Sequence, residues 1–213
     1  YDTGDLMGRG ADTLYFLDQR GVAELDIMRG TSRNVAEIHS LYNGTTAQGP
    51  TVSDFVRDVD GDRVDDILLP QFGGWLLARR VDSGFERFRL DIPARVKVYE
   101  DRVSYQPRRP HSGDVDGDGL DDVVFLLDTE FLSFVQRPDR SFPDTGRRDN
   151  VGAPLASESQ RAQWERDDGQ IDQSDLEIEE VELVRDFNAD QIPDLLTEKS
   201  ISKGVFDSRS EYH

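Results

Sequence analysis

Cysteine is absent from all 213 residues. Disulfides, thiolate zinc sites and cysteine nucleophiles are therefore excluded. No apolar run approaches the roughly 20 residues that cross a bilayer as a helix, so no membrane span is expected. Positive charge is scarce. Lys and Arg number 25 against 44 Asp and Glu, a formal net charge of −19. Nucleic-acid binding needs a basic footprint that this chain lacks, and an anionic membrane surface would repel it. There is no GxSxG elbow, HExxH pair or P-loop. His39, His111 and His213 lie far apart in sequence. No enzyme is expected from these residues. The start shows no signal-peptide pattern, so the expectation is a mature or a non-exported chain.

What is present is acid in a pattern. The stretches DVDGDRVDD (58–66), DVDGDGLDD (114–122) and DFNADQIPD (186–194) are copies of one loop. Oxygen-bearing side chains fall at loop positions 1, 3, 5 and 9. They are Asp58, Asp60, Asp62 and Asp66, then Asp114, Asp116, Asp118 and Asp122, then Asp186, Asn188, Asp190 and Asp194. An apolar run follows each loop at once. A fourth, degenerate copy spans residues 4–18. Asp5 holds its position 1, but Met7, Arg9 and Thr13 hold positions 3, 5 and 9. It is expected to keep the turn and bind no metal.

Calcium is a hard cation that takes six to eight oxygens at about 2.3–2.6 Å. A tight loop with acids at alternate positions aims side chains 1, 3 and 5 at one point, and glycine lets the backbone fold round the ion. Position 7 offers only its carbonyl, here Val64, Leu120 and Ile192. Position 9 closes the cage from the next strand. Three Ca²⁺ sites are predicted. The 186–194 site should be the weakest, because Asn188 drops a charge and Ala189 replaces glycine. An EF-hand begins similarly but needs Glu at position 12 and flanking helices. Position 12 is Leu69, Phe125 or Thr197. Magnesium seldom uses an all-protein cage.

The flanks read as short strands. TLYFL, VAELDIM and VAEIHSLY suggest strands in the first unit, with a turn at Gln19–Gly21. DILLPQF, WLLARRV and FERFRLDI follow in the second, broken at Gly73-Gly74 and at Asp82–Gly84. The third has DVVFLL and FLSFVQ, and the last DLLTEKS and VFDSRSEY. Four-stranded units recurring every roughly 50–70 residues point to an all-β chain, a β-propeller of antiparallel four-stranded blades. About four blades are visible, near 1–49, 50–100, 101–150 and 175–213. An open propeller leaves bare strand edges, so part of a larger ring is expected, with a closed four-bladed ring as the alternative. Residues 138–176 read as a solvated loop insertion, with a short helix over 157–166 capped by Ser157; the alternative is a partner-contact loop anchored by Trp164 and the neighbouring Arg pairs.

The residues GDVDGDGLDDVVFLL (113–127), RDVDGDRVDDILL (57–69) and, more distantly, RDFNADQIPDLL (185–196) resemble the FG-GAP or VCBS repeat family, the calcium-binding propeller repeats also found in integrin α subunits. The resemblance implies a seven-bladed propeller with calcium between the first two strands of a blade. It leaves two functions open. The first is a non-catalytic, calcium-stabilised module for adhesion or surface assembly that binds a protein or glycan partner. The second is an accessory propeller of a secreted polysaccharide lyase or hydrolase, with its catalytic residues elsewhere. Calcium sites as weak as roughly 10⁻⁴–10⁻³ M suit an exterior, so an extracellular, cell-surface or periplasmic location is expected. Asp65 and Asp121, at position 8, read as surplus solvated carboxylates or supports for the loop. The pairs Arg79-Arg80, Arg108-Arg109 and Arg147-Arg148 read as solvent-facing strand ends.

Overall fold

The computed structural model describes residues 1–18, 20–41, 54–93, 95–98, 103–106, 108–127, 130–150, 175–188, 194–203 and 207–212. Among these the chain is all-β, without a helix, so none is long and apolar enough to cross a membrane. The expected helix at 157–166 and Trp164 lie outside the described residues.

The first sheet is a meander of β1 (Asp2–Gly4), β2 (Thr13–Asp18), β3 (Gly21–Asp26) and β4 (Thr31–Ala36). The second repeats it with β5 (Val56–Arg57), β6 (Asp66–Gln71), β7 (Gly74–Val81) and β8 (Gly84–Asp91). A two-stranded ribbon follows, of β9 (Arg95–Val98) and β10 (Val103–Gln106). The next four-stranded meander is β11 (Pro110–Gly113), β12 (Asp122–Leu126), β13 (Glu130–Phe134) and β14 (Arg147–Asn150). A three-stranded sheet of β15 (Asp175–Arg185), β16 (Asp194–Lys203) and β17 (Asp207–Tyr212) ends the chain. Neighbouring strands are antiparallel throughout, and none of the sheets closes on itself.

The return strand of the first sheet lies earlier than VAEIHSLY suggests. Asp26 accepts a hydrogen bond from the Arg29 amide at 3.0 Å, and Gly30 supplies a φ of 63°. The chain therefore turns at once and β4 starts at Thr31, opposite Asp26. Residues 31–34 are exposed. A polar outer strand carries no apolar alternation for sequence reading to find. The same holds for β14, RRDN, inside the stretch read as insertion.

Two compact units emerge. One comprises residues 1–107 with 136–146, the other 108–135 with 147–213. In the first, Leu6, Tyr15, Val22 and Ile38 from the β1–β4 side meet Phe55, Ile67, Leu69 and Leu76 from the β5–β8 side in one buried cluster. Burying each such side chain contributes about 1.5–3 kcal/mol. The Asp2 carboxylate also accepts from the amides of Phe55 and Val56, at 2.6 and 2.8 Å, and ties β1 to β5. In the second unit Val115, Val124, Leu126 and Phe131 close on Val184 of β15.

The last residue of β1 and of β11 is a glycine for a steric reason. A Cβ on Gly4 would strike the Val56 side chain and the Asp65 carboxylate, and one on Gly113 would strike the Val184 carbonyl. Gly113→Val is accordingly expected to cost about 2–3 kcal/mol through overpacking, read as a lower urea midpoint with an unchanged m-value.

Candidate metal centres

Each acidic loop joins the first strand of its sheet to the second. The position-1 carboxylate organises the turn. Asp58 accepts from the amides of Gly61 at 2.8 Å, Asp62 at 3.1 Å and Arg63 at 2.8 Å. Asp114 accepts from Gly117 at 2.8 Å and Gly119 at 3.1 Å. Positions 4 and 6 are left-handed in both loops, with φ of 73° and 71° at Gly61 and Arg63, and 78° and 89° at Gly117 and Gly119. Glycine takes this conformation freely, whereas Arg63 does so at a cost.

The degenerate copy keeps this turn. Asp5 accepts from the amides of Arg9 and Gly10 at 2.7 and 2.5 Å, and Gly8 and Gly10 are left-handed. Burial raises the Asp5 pKa, but its amide donors outweigh it and the net shift is downward. Arg9 pairs with Glu24 at 2.8 Å, so the cation at position 5 is spent on a neighbouring strand.

Positions 3 and 5 also bond to backbone. Asp60 and Asp116 accept from the amides two residues on, at 3.1 and 3.2 Å. Asp62 and Asp118 accept from the amides of Val64 and Leu120, at 2.8 and 2.9 Å. Position 9 reaches back from the second strand. Asp66, Asp122 and Asp194 accept from the amides of Val59, Val115 and Phe187 at 3.2, 3.0 and 3.0 Å. Asp66 accepts a second bond from the Arg80 amide.

Two triads of carboxylate oxygens converge, each within 4.8 Å: Asp58, Asp60 and Asp66 in one, Asp114, Asp116 and Asp118 in the other. Of the predicted ligands, Asp62 and Asp122 stand outside these triads. In the last loop Asp186, Asn188 and Asp194 are described. Asp190 and Ile192 lie outside the described residues. The donor set fits a hard cation, being all oxygen and doubly organised by backbone. One carboxylate oxygen, Oδ2 of Asp60, is fully buried, accepts no hydrogen bond and faces the Arg79 guanidinium 3.7 Å away. Crowding shows in the acidities. Burial, then the charge of Asp62, raises the Asp60 pKa. Burial first and Asp118 second raise that of Asp116. Burial pushes Asp66 up to about 7.

Some contacts around these loops escape sequence reading. Asp65 Oδ2 accepts from the Asp5 amide, and the Asp65 amide donates to the Asp5 carbonyl at 3.3 Å, so this carboxylate supports the neighbouring loop. Arg79 is not solvent-facing. Its side chain is 12% exposed and lies 3.7 Å from Asp60 Oδ2. Arg140, from the 136–146 segment, lies 3.5 Å from both Asp60 and Asp62. Arg80 rests on the Phe85 ring at 5.3 Å. Arg147 and Arg148 do pair locally, with Asp149 and Glu130.

Comparison with known proteins finds no matching family model, no matching curated protein and no matching solved structure.

Proposed function

We propose that this chain is a non-catalytic, calcium-stabilised repeat module whose sheets are blades of a β-propeller, and that it presents its loops to a protein or glycan partner outside the cell. The observation that carries the reading is the recurrence of one loop, at one place in successive sheets, with three carboxylate oxygens drawn within 4.8 Å in two of its copies. Like charges so close are unfavourable without a cation. In the 58–66 loop Asp58, Asp60 and Asp66 would hold the ion, and in the 114–122 loop Asp114, Asp116 and Asp118. The ion would neutralise each cluster and lock the turn between the first two strands.

Direct calcium binding to the full chain tests this, by calorimetry at neutral pH. The expected result is saturable binding of at least two ions, with dissociation constants of roughly 10⁻⁵–10⁻³ M and weaker competition by magnesium. Asp116→Ala with Asp118→Ala should remove one ion and leave the 58–66 ion in place. No binding at about 5 mM calcium, above that range, would defeat the reading. Sub-micromolar affinity would defeat the extracellular assignment alone.

A further inference from the structure

The two triads differ in one respect that sequence does not show. Among the described residues, no ion pair within 4 Å joins Asp114, Asp116 or Asp118 to a cation, although the charge of Arg147 is felt at Asp116, whereas the 58–66 loop meets two guanidinium groups. Arg140 Nη1 stands 3.5 Å from Asp60 Oδ1 and 3.5 Å from Asp62 Oδ2. Arg79 Nη1 stands 3.7 Å from Asp60 Oδ2. The position-5 carboxylates behave accordingly. Asp118 joins its triad, while Asp62 faces Arg140 and is left out of the triad formed by Asp58, Asp60 and Asp66.

Arg140 is held there by its backbone. Its own φ is 64°. Its amide donates to the Arg137 carbonyl at 2.7 Å, and the Arg137 amide to the Ser141 carbonyl at 2.9 Å. The Ser141 amide bonds to the Asp139 carboxylate at 3.0 Å. Arg79 donates to the carbonyls of Asp139 and Arg140, so one side chain touches both the turn and the buried acid. Farther along, Phe142 sets its ring edge-on to Phe88 at 6.0 Å, and the Asp144 carbonyl accepts from the Asp91 amide. The segment is thus anchored beyond the turn, and the turn itself leans on the acidic loop.

We propose that Arg140 is a built-in counter-cation of the 58–66 centre, displaced when a divalent ion enters, so that filling this centre releases the 137–141 turn. The inference rests on the metal reading above and adds its regulation. A guanidinium brings one delocalised charge and hydrogen-bond donors. Calcium brings two charges to a point and needs carboxylate oxygens at about 2.3–2.6 Å. An ion held by Asp58, Asp60 and Asp66 would share Asp60 with Arg140. The Arg140 side chain is 43% exposed, so its ion pairs are weak and exchange is feasible at millimolar calcium. In the 114–122 centre Arg147 acts on Asp116 without an ion pair within 4 Å, so that centre serves as the less tightly paired comparison.

The test is a calcium titration of the full ¹⁵N-labelled chain, following the Gly61, Gly117 and Ser141 amide resonances. The two glycine amides donate to Asp58 and Asp114 and so report each loop separately. In Arg140→Gln the Gly61 midpoint should fall about fivefold, the scale of a weak ion pair lost, with Gly117 unmoved. Arg140→Lys should stay within about twofold of the original protein. In the original protein Ser141 should shift with the Gly61 midpoint. An unchanged or raised Gly61 midpoint in Arg140→Gln overturns the proposal, and so does a Ser141 resonance that ignores calcium. If neither glycine responds up to about 10 mM, beyond the usual range of such sites, the metal reading fails and takes this one with it.

Discussion

Millimolar calcium is expected to raise the melting temperature by about 10 °C over excess EGTA, given two sites that each contribute roughly 1.5–2.5 kcal/mol at ten to a hundred times their dissociation constant. The reason is electrostatic. Metal-free, each triad holds its oxygens within 4.8 Å, and the 58–66 triad is only partly offset by the Arg79 and Arg140 guanidinium groups beside Asp60. An ion bound by the native turn and not by the unfolded chain stabilises by mass action. The rise should be about half as large in Asp116→Ala with Asp118→Ala, which leaves one triad intact. The gap should also widen from pH 6 to pH 8. Burial raises the Asp66 pKa from 3.8 to about 7. The metal-free native state therefore keeps a proton that the unfolded chain has released, and its stability falls as pH climbs between those two values. Calcium competes with that proton, so its contribution grows across the same window and levels off above it. Melts that superimpose with and without calcium would make the loops plain turns, held by their amide bonds alone.

Phe125→Ala is expected to cost about 3–5 kcal/mol, the range for an aromatic side chain removed from a closed core. Every residue of β12 is buried, Asp122 included. Phe125 is fully buried, pairs with Pro110 on one side and Leu132 on the other, and meets the Phe134 ring edge-on at 6.0 Å. Neighbours on three sides cannot collapse into the space. Phe72→Ala is the matched contrast. That ring is 77% exposed at the β6–β7 turn, and its loss should stay within about 0.5 kcal/mol. Urea unfolding of both variants checks the pair, and similar costs at the two positions would contradict the buried placement of β12.

The inner strands were legible because their signals are local. Apolar runs such as DILLP and DVVFL meet glycine or Asx turns at both ends, and β6, β7, β8, β12 and β13 fall where those signals place them. The acidic loops were legible for the same reason, since a nine-residue pattern contains most of its own hydrogen bonds. Outer strands were harder. TSRNVA pairs along β3 through backbone alone, and its exposed side chains carry no period. Long-range chemistry was harder still. Arg79 reads as a strand-end charge until Asp60 is seen beside it. Arg140 sits 80 residues from Asp60 in sequence, inside a loop-like stretch that says nothing of where it returns. Asp65 looks surplus within its own loop and finds its partner, the Asp5 amide, 60 residues away. Sequence shows which groups can bind a cation. Only the fold shows which of them already face one.

The turn at residues 5–13 keeps its left-handed glycines and its organising Asp5 with no carboxylate at positions 3, 5 and 9. The shape of this turn therefore does not depend on the carboxylates at positions 3, 5 and 9. Side chains such as Met7 and Arg9 at positions 3 and 5 leave the connection between the strands intact. Copies of the loop are free to diverge in what they hold while the sheets they join stay in register.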